Sequence, residues 1–322
     1  MIEITDVSAA YGDVQALDGV SLSVGRGESV GVFGTNGAGK TTLFKLLVGL
    51  NRPDEGTVRV AGADPADGNR VRELVRYLPE HAGFPANLTG REVLRFHARV
   101  RGVPADGRAH HVRRILATVG LADAADRRVG GYSNGMNRRL GLGTALVGDP
   151  AVLILDEPTA GLDPDGIAAF HEVVGALADR TDVTVLFSSH ALSEIERLCD
   201  RAVLMNDGRV AVDGPVEQLR RSGEAVTVSL ALPDPEAAAD AARLLRERAA
   251  VAAVSQRGTR VTVDCPPGEA YDALVAVGEA HPLERFEVTE PGLEAAFHEA
   301  VGGTEDDGTH PERPAGTGGE TA

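Results

Sequence analysis

The chain has 322 residues, 43% of them hydrophobic with 4% aromatic and no Trp, and a formal net charge of −16. Such a length exceeds one minimal core and fits a large α/β unit plus a smaller one, or two medium domains, and the composition excludes fibrous and wholly disordered classes. The only lysines are Lys40 and Lys45, so a nucleic-acid-binding surface is not expected on a chain this acidic.

The chain opens with alternating apolar positions (Ile2, Ile4, Val7, then Val20, Leu22, Val24), which predict short antiparallel strands. Ser29 to Phe33 is a continuous, largely apolar run that ends in glycines and leads into Thr42 to Val48 with helical spacing: strand, Gly-rich loop, helix. From Leu88 to Asp126 the spacing stays helical (Val93, Leu94, Phe96, Val100; Val112, Ile115, Leu116, Val119), as in an inserted helical subdomain. Buried-type strands resume at Val152 to Leu155 and Val183 to Phe187, with a helix from Ile167 to Ala178 between them. Alternating β and α elements predict a mostly parallel sheet covered on both faces.

After Ser222 the pattern changes. Val226, Val228, Leu230 and Leu232 alternate, a helix follows near Pro235 to Arg248, then come Val261, Val263, Cys265, a helix around Tyr271 to Val277, and Phe286 with Val288. This predicts β-α-β-β-α-β, a small ferredoxin-like α+β unit. The stretch 303–322 has the Gly, Thr, Glu and Pro content of a disordered tail, and no internal repeat is visible.

Cys199 and Cys265 are too few and too far apart for a disulfide framework or zinc site, so a reducing, cytosolic setting with buried thiols is expected. No apolar run is long enough to cross a bilayer and the N-terminus has no signal-peptide pattern, so a membrane role would come through a partner. An acidic, lysine-poor surface repels itself in dilute buffer and is eased by salt, which suggests a salt-loving source.

Gly34-Thr35-Asn36-Gly37-Ala38-Gly39-Lys40-Thr41 matches the P-loop pattern in full, after a buried strand and before a helix. Its glycines let backbone N–H groups surround phosphates, the helix start adds its positive dipole end, Lys40 reaches the β- and γ-phosphates, and Thr41 offers a hydroxyl to Mg²⁺. Thr42 follows in the first turn. Val152 to Leu155 delivers Asp156 and Glu157 at a strand's C-terminal end, where open α/β sheets bind ligands. Neighbouring residues on an extended chain point differently, so Asp156 can serve Mg²⁺ while Glu157 orients and polarises the attacking water. Tyr132-Ser133-Asn134-Gly135-Met136 starts a helical stretch; taken alone it reads as an N-capping Ser beside a Gly.

Placed shortly before the carboxylate strand, however, that pentapeptide resembles the signature motif of the ABC ATPases. The resemblance covers roughly residues 1–220 in one order: Tyr11 as the aromatic that stacks on adenine, the P-loop, a Q-loop at Tyr77-Leu78-Pro79-Glu80, the signature, Asp156 and Glu157, Ala160-Gly161-Leu162-Asp163 as D-loop, and His190 as switch histidine. It implies an α/β P-loop NTPase fold of ABC ATPase type: a mostly parallel sheet with an antiparallel β layer and an inserted helical subdomain, followed by the α+β unit. The expected division is 1–222 for the ATPase domain with its helical subdomain at about 88–148, 223–302 for the accessory domain and 303–322 for the tail.

It further implies ATP and Mg²⁺ as cofactors, with Thr41, Glu80 and Asp156 on the metal side. Glu157, His190 and Lys40 are expected in catalysis. Ser133 and Gly135, with Asp163, are expected at a nucleotide held between two head-to-tail ATPase subunits, which makes a homodimer the working unit. An integral membrane permease is the other expected partner, docked on His81 to Thr89, so the chain would sit peripherally on the inner face of the cell membrane.

Two features depart from the family pattern. Glu80 stands where Gln is usual, adding a negative charge near the γ-phosphate, and the signature, usually LSGGQ, reads YSNGM, with Asn134 and Met136 in place of a Gly and the Gln; Asn134 is expected to tolerate a tight or left-handed backbone. The YLPE and YS-x-GM forms, Ala125-Asp126-Arg127-Arg128-Val129, and Glu290-Pro291-Gly292-Leu293-Glu294 give a narrower resemblance to NosF-type subunits, the ATPases that accompany copper-site maturation of nitrous-oxide reductase. Export ATPases of the ABC-2 type for drugs, lipids or ions share these features. A soluble ABC ATPase working on DNA or ribosomes is the competing class; its long coiled coil or second cassette is not seen here. A small kinase or GTPase would leave the signature unexplained.

Overall fold

In a computed structural model of the chain, residues 1–222, 226–248, 253–289 and 293 are described. The tail expected at 303–322 lies outside the described residues, as does all of Glu290 to Glu294 except Leu293. β1 (Ile2–Tyr11) and β2 (Val14–Val24) form a hairpin, β3 (Ser29–Phe33) leads through the Gly-rich loop to α1 (Lys40–Leu47), and β4 (Glu55–Val60) returns to pair with β1. α2 (Asn69–Leu74) and β5 (Val75–Leu78) precede three helices, α3 (Gly90–Val100), α4 (Ala105–Thr118) and α5 (Asn134–Leu146). Next come β6 (Val152–Leu155), α6 (Pro164–Arg180), β7 (Thr184–Ser189), α7 (Leu192–Leu198), β8 (Arg201–Asn206), β9 (Arg209–Pro215) and α8 (Val216–Ser222). The remainder is β10 (Val226–Ala231), α9 (Pro235–Arg246), β11 (Ala253–Arg257), β12 (Arg260–Cys265), α10 (Ala270–Ala280) and β13 (Arg285–Thr289).

The strands form three sheets: an antiparallel β2-β1-β4 layer, a six-stranded sheet in the order β5-β6-β7-β3-β8-β9, and a four-stranded sheet in the order β11-β12-β10-β13. Within the six-stranded sheet every pair is parallel except β8 with β9. The last sheet is antiparallel throughout, and its order with two intervening helices is the ferredoxin-like arrangement.

Alternation explains why β6 reads as an unbroken apolar run. Val152 and Ile154 pack into the core under the antiparallel layer and α1, whereas Leu153 and Leu155 pack into the core beneath α3, α4 and α5. Both faces are covered, so no position is free to be polar. Each fully buried Leu, Ile or Val contributes about 1.5–3 kcal/mol, and residues such as Leu43, Leu94, Leu116 and Ile154 are wholly buried. α3 is fixed at its start by Thr89, whose side chain accepts from Glu92 N–H while the Glu92 carboxylate accepts from Thr89 N–H, a reciprocal cap. Of the apolar positions expected on that helix, Val93 and Leu94 are buried but Phe96 and Val100 face solvent.

A third core lies between α9, α10 and the last sheet, and includes Cys265. Both thiols are buried, and burial pushes the Cys199 thiol up to about 12. Leu293 belongs to the core beneath α3, α4 and α5, and its N–H donates to Glu196 Oε1 at 2.7 Å on α7.

Candidate active site

Register sets the position of the site. Leu78 pairs with Leu155, Leu155 with Phe187 and Phe33 with Ser189, so β5, β6, β7 and β3 end at one edge of the sheet. The segments that leave that edge are Pro79-Glu80, Asp156-Glu157, Ser189-His190 and the Gly34 loop. Residues far apart in sequence meet because parallel strands align their C-terminal ends.

The Gly-rich loop owes its course to its glycines. Gly34 has φ 154° and an added Cβ would lie 2.2 Å from the Met205 carbonyl oxygen; Gly39 has φ 101° and its Cβ would meet the Ala16 carbonyl oxygen at 2.5 Å. No side chain fits at either point. A cavity of about 300 Å³ lies over the loop, lined by Thr35 to Thr42 and by Val14, Ala16, Glu80 and Glu157. Asn36, Gly37, Ala38, Lys40, Thr41, Thr42 and Glu80 are therefore gathered at one place, with Glu157 opposite.

Lys40 is buried; its Nζ donates to the Gly34 carbonyl at 2.6 Å and lies 3.4 Å from Glu157 Oε1. The other carboxylate oxygen, Glu157 Oε2, is 2.9 Å from His190 Nδ1. Glu157 has φ 42°, a left-handed backbone rare for a residue with a side chain and the kind of local strain that surrounding contacts must hold. Those contacts are visible: Ser188 Oγ accepts from Glu157 N–H at 2.8 Å and donates to Asp156 Oδ1 at 2.8 Å. Tyr77 Oη donates to Asp156 Oδ2 at 2.9 Å. Burial, followed by the Asp156 charge, raises the Tyr77 phenol well above its ordinary range, so it remains a donor. Asp156 and Thr41 offer the hard oxygen donors that suit Mg²⁺.

A second buried cluster backs the site. Glu194 Oε2 accepts from Thr159 Oγ1 at 2.7 Å and Ser189 Oγ at 2.8 Å, and His171 Nε2 stands 3.6 Å from Glu194 Oε1. Burial pushes the Glu194 carboxyl up, but the nearby His171 and the hydrogen bonds from Thr159 and Ser189 outweigh it and leave the group below its ordinary value.

The remaining expected residues lie elsewhere. Ser133 caps α5, its Oγ accepting from Met136 N–H at 3.2 Å, and Asp163 caps α6, accepting from Gly166 N–H at 2.8 Å. The two helix starts meet at glycines: a Cβ on Gly135 would be 3.5 Å from Gly166 Cα. Neither Ser133, Gly135 nor Asp163 lines the P-loop cavity. Tyr11 is 51% exposed, receives a hydrogen bond from Asn51 Nδ2, and stands outside that lining, to which its hairpin contributes Val14 and Ala16.

Asn134 is the first residue of α5 and is not among the residues with positive φ. The left-handed tolerance invoked for it is not used; a helix start accepts Asn as it stands. Tyr132, in place of the usual Leu, donates from its hydroxyl to the Ala124 carbonyl at 2.7 Å. Gly90 makes room for it, since a Cβ there would be 2.4 Å from that oxygen. Tyr77, Ser188, Glu194 and Arg138 are the residues that sequence reasoning left without roles. Ser188 carried a signal, a hydroxyl inside a fully buried strand, whereas Arg138, next to Arg139 on α5, carries no local signal.

Comparison with known proteins identifies the family and the fold. Residues 17–160 match the model of the ABC transporter family. The chain is 36% identical to an uncharacterized ABC transporter ATP-binding protein, YxlF, of Bacillus subtilis (strain 168), over 73% of this chain and 77% of that one. It is 39% identical to the Nod factor export ATP-binding protein I of Burkholderia orbicola (strain AU 1054), over 74% of this chain and 79% of that protein. A solved ATP-binding subunit of an ABC transporter superposes with a TM-score of 0.61 at 32% identity, covering 69% of this chain and 92% of the other. With its P-loop, paired carboxylates and His190 on one sheet edge, the chain belongs to the ATP-binding, ATP-hydrolysing subunits of the ABC transporter family.

Proposed function

We propose that this chain is the motor of an exporter, working as a head-to-tail pair in which ATP lies between the P-loop of one subunit and the signature of the other. The observation that carries this reading is the split of the expected residues. Lys40, Thr41 and Glu157 face one cavity with His190 on Glu157, while Ser133 and Gly135 begin a helix outside it. A helix start rich in N–H donors suits a γ-phosphate that another chain brings. Lys40 and the loop N–H groups would hold the β- and γ-phosphates, Thr41, Asp156 and Glu80 the Mg²⁺, and Tyr11 the adenine. Bound Mg²⁺ supplies neutralisation of phosphate charge. Glu157 would orient the attacking water, and His190 would hold Glu157.

Closure on ATP drives a partner only because ATP binds the closed pair better than the open one. The permease would dock where the segment after Glu80 borders a cavity of about 790 Å³, lined by His81, Phe84, Ala86, Tyr132 and Leu162 among others. Glu80 lines both this cavity and the P-loop cavity, a direct route between nucleotide and partner. On this reading residues 1–222 are the motor on the inner face of the membrane and 223–302 an accessory unit that regulates or dimerises.

An export cargo follows the Nod factor export relative. A role in copper-enzyme maturation is the second reading, favoured by Glu80 in the YLPE string and by the YSNGM form of the signature. The test is ATP turnover of the chain purified in high KCl, alone and co-expressed with the membrane protein encoded beside it. Turnover raised by that partner and abolished by Lys40→Ala supports the reading; turnover raised only by DNA or ribosomes overturns it.

A further inference from the structure

Arg138 carries a guanidinium that is nearly enclosed, 8% exposed, and it spends every donor on backbone oxygen. Nε donates to the Pro158 carbonyl, Nη1 to the Pro79 and Glu80 carbonyls at 2.7 Å each, and Nη2 to the Asp156 and Glu157 carbonyls at 3.0 Å each. No carboxylate pairs with it at salt-bridge distance among the described residues. A buried cation is costly and is retained where its geometry does something a neutral side chain cannot. Here a planar fork joins three elements: α5, the Pro79-Glu80 segment after β5, and the Asp156–Pro158 segment after β6.

We propose that Arg138 is a positioning residue that ties the Ser133 end of α5 to Glu80 and Glu157 of its own chain, so that each ATP site of the pair responds to the other. This rests on the head-to-tail reading above. One rigid helix carries both ends of the link: Ser133 caps it and Arg138 lies five residues on, about 7.5 Å along the axis. When the start of α5 engages the partner's γ-phosphate, the guanidinium moves with it. The Glu157 peptide is gripped on both sides, its N–H by Ser188 and its C=O by Arg138, at a φ of 42° that needs such a grip. A small shift of the fork therefore re-aims the carboxylate that orients water. Burial lowers the guanidinium to about 10, which leaves it a cation at neutral pH.

Lys and Gln cannot reproduce a planar array of five donors. Initial rates against ATP concentration are measured for the full chain, Arg138→Lys and Arg138→Gln in high KCl. The expected result is sigmoidal kinetics for the native chain, with the Hill coefficient falling to about 1 in either variant while kcat drops about tenfold or more. Binding of ATP to the separated subunit stays within a few-fold, because Arg138 does not touch the P-loop. A residue that merely fills space would lower kcat and leave the Hill coefficient alone, so a native coefficient in a folded variant overturns the proposal.

If neither variant folds, amide exchange in the Glu157→Gln chain with Arg138 intact decides. Protection of segments 79–81 and 156–158 should rise on dimer formation beyond that caused by ATP alone; equal protection in ATP-bound monomer and dimer overturns the link. Failure of that chain to dimerise with ATP would instead strike the head-to-tail reading.

Discussion

His190 Nδ1 and Glu157 Oε2 lie 2.9 Å apart, joined across the ends of β7 and β6. Because Lys40 takes the other oxygen of the same carboxylate at 3.4 Å, His190 is what fixes the carboxylate's outer side. Replacing His190 by Ala is expected to lower kcat roughly 100-fold with little change in KM for ATP, since the P-loop is untouched. Phosphate release at saturating magnesium ATP measures this, and an unchanged kcat would remove His190 from the reaction.

Ser188→Ala tests the support beneath that pair. The buried Glu157 N–H would lose its acceptor and Asp156 one donor. The expected loss of stability is about 1–3 kcal/mol, read from urea unfolding in high salt, together with a fall in kcat that exceeds any change in ATP affinity.

The loop glycines divide into two kinds. At Gly34 a Cβ would strike the Met205 carbonyl, which β8 holds in place, while at Gly37 nothing stands within 4 Å although φ is +89°. Gly34→Ala should abolish ATP binding and cost about 2 kcal/mol or more of stability. Gly37→Ala should fold at a smaller cost. Equilibrium binding of a fluorescent ATP analogue and thermal unfolding distinguish the two; equal behaviour would contradict the packing argument.

The net charge of −16 with only two lysines predicts stability that grows with salt. Raising KCl from about 0.1 M to about 2 M should increase the thermal midpoint, because screening at high ionic strength shortens the range of self-repulsion to a few ångströms. A midpoint that is flat or falls would argue against salt adaptation.

Features that depend on neighbouring residues were legible in the sequence: the P-loop between β3 and α1, the carboxylates ending β6, and His190 after β7. Their meeting at one edge followed from the parallel alternation. What escaped notice depends on distant partners. Arg138 acts on carbonyls of Pro79 and Pro158, and Tyr77 acts on Asp156, none of which leaves a local pattern. β11 is partly exposed, and its sequence, Ala-Val-Ser-Gln-Arg, lacks an apolar run because only one edge of the strand is paired and one face half-covered. Phe96 and Val100 kept helical spacing without a core to enter, since periodicity reports the element and not what packs against it.

Light scattering of the Glu157→Gln chain in molar KCl, with and without magnesium ATP, probes the shared-nucleotide motor most directly. A monomer without ATP, a dimer with ATP, and no turnover are the expected results. A chain that binds ATP yet remains monomeric would contradict the head-to-tail pair, and one that hydrolyses ATP at the native rate would contradict the role of Glu157.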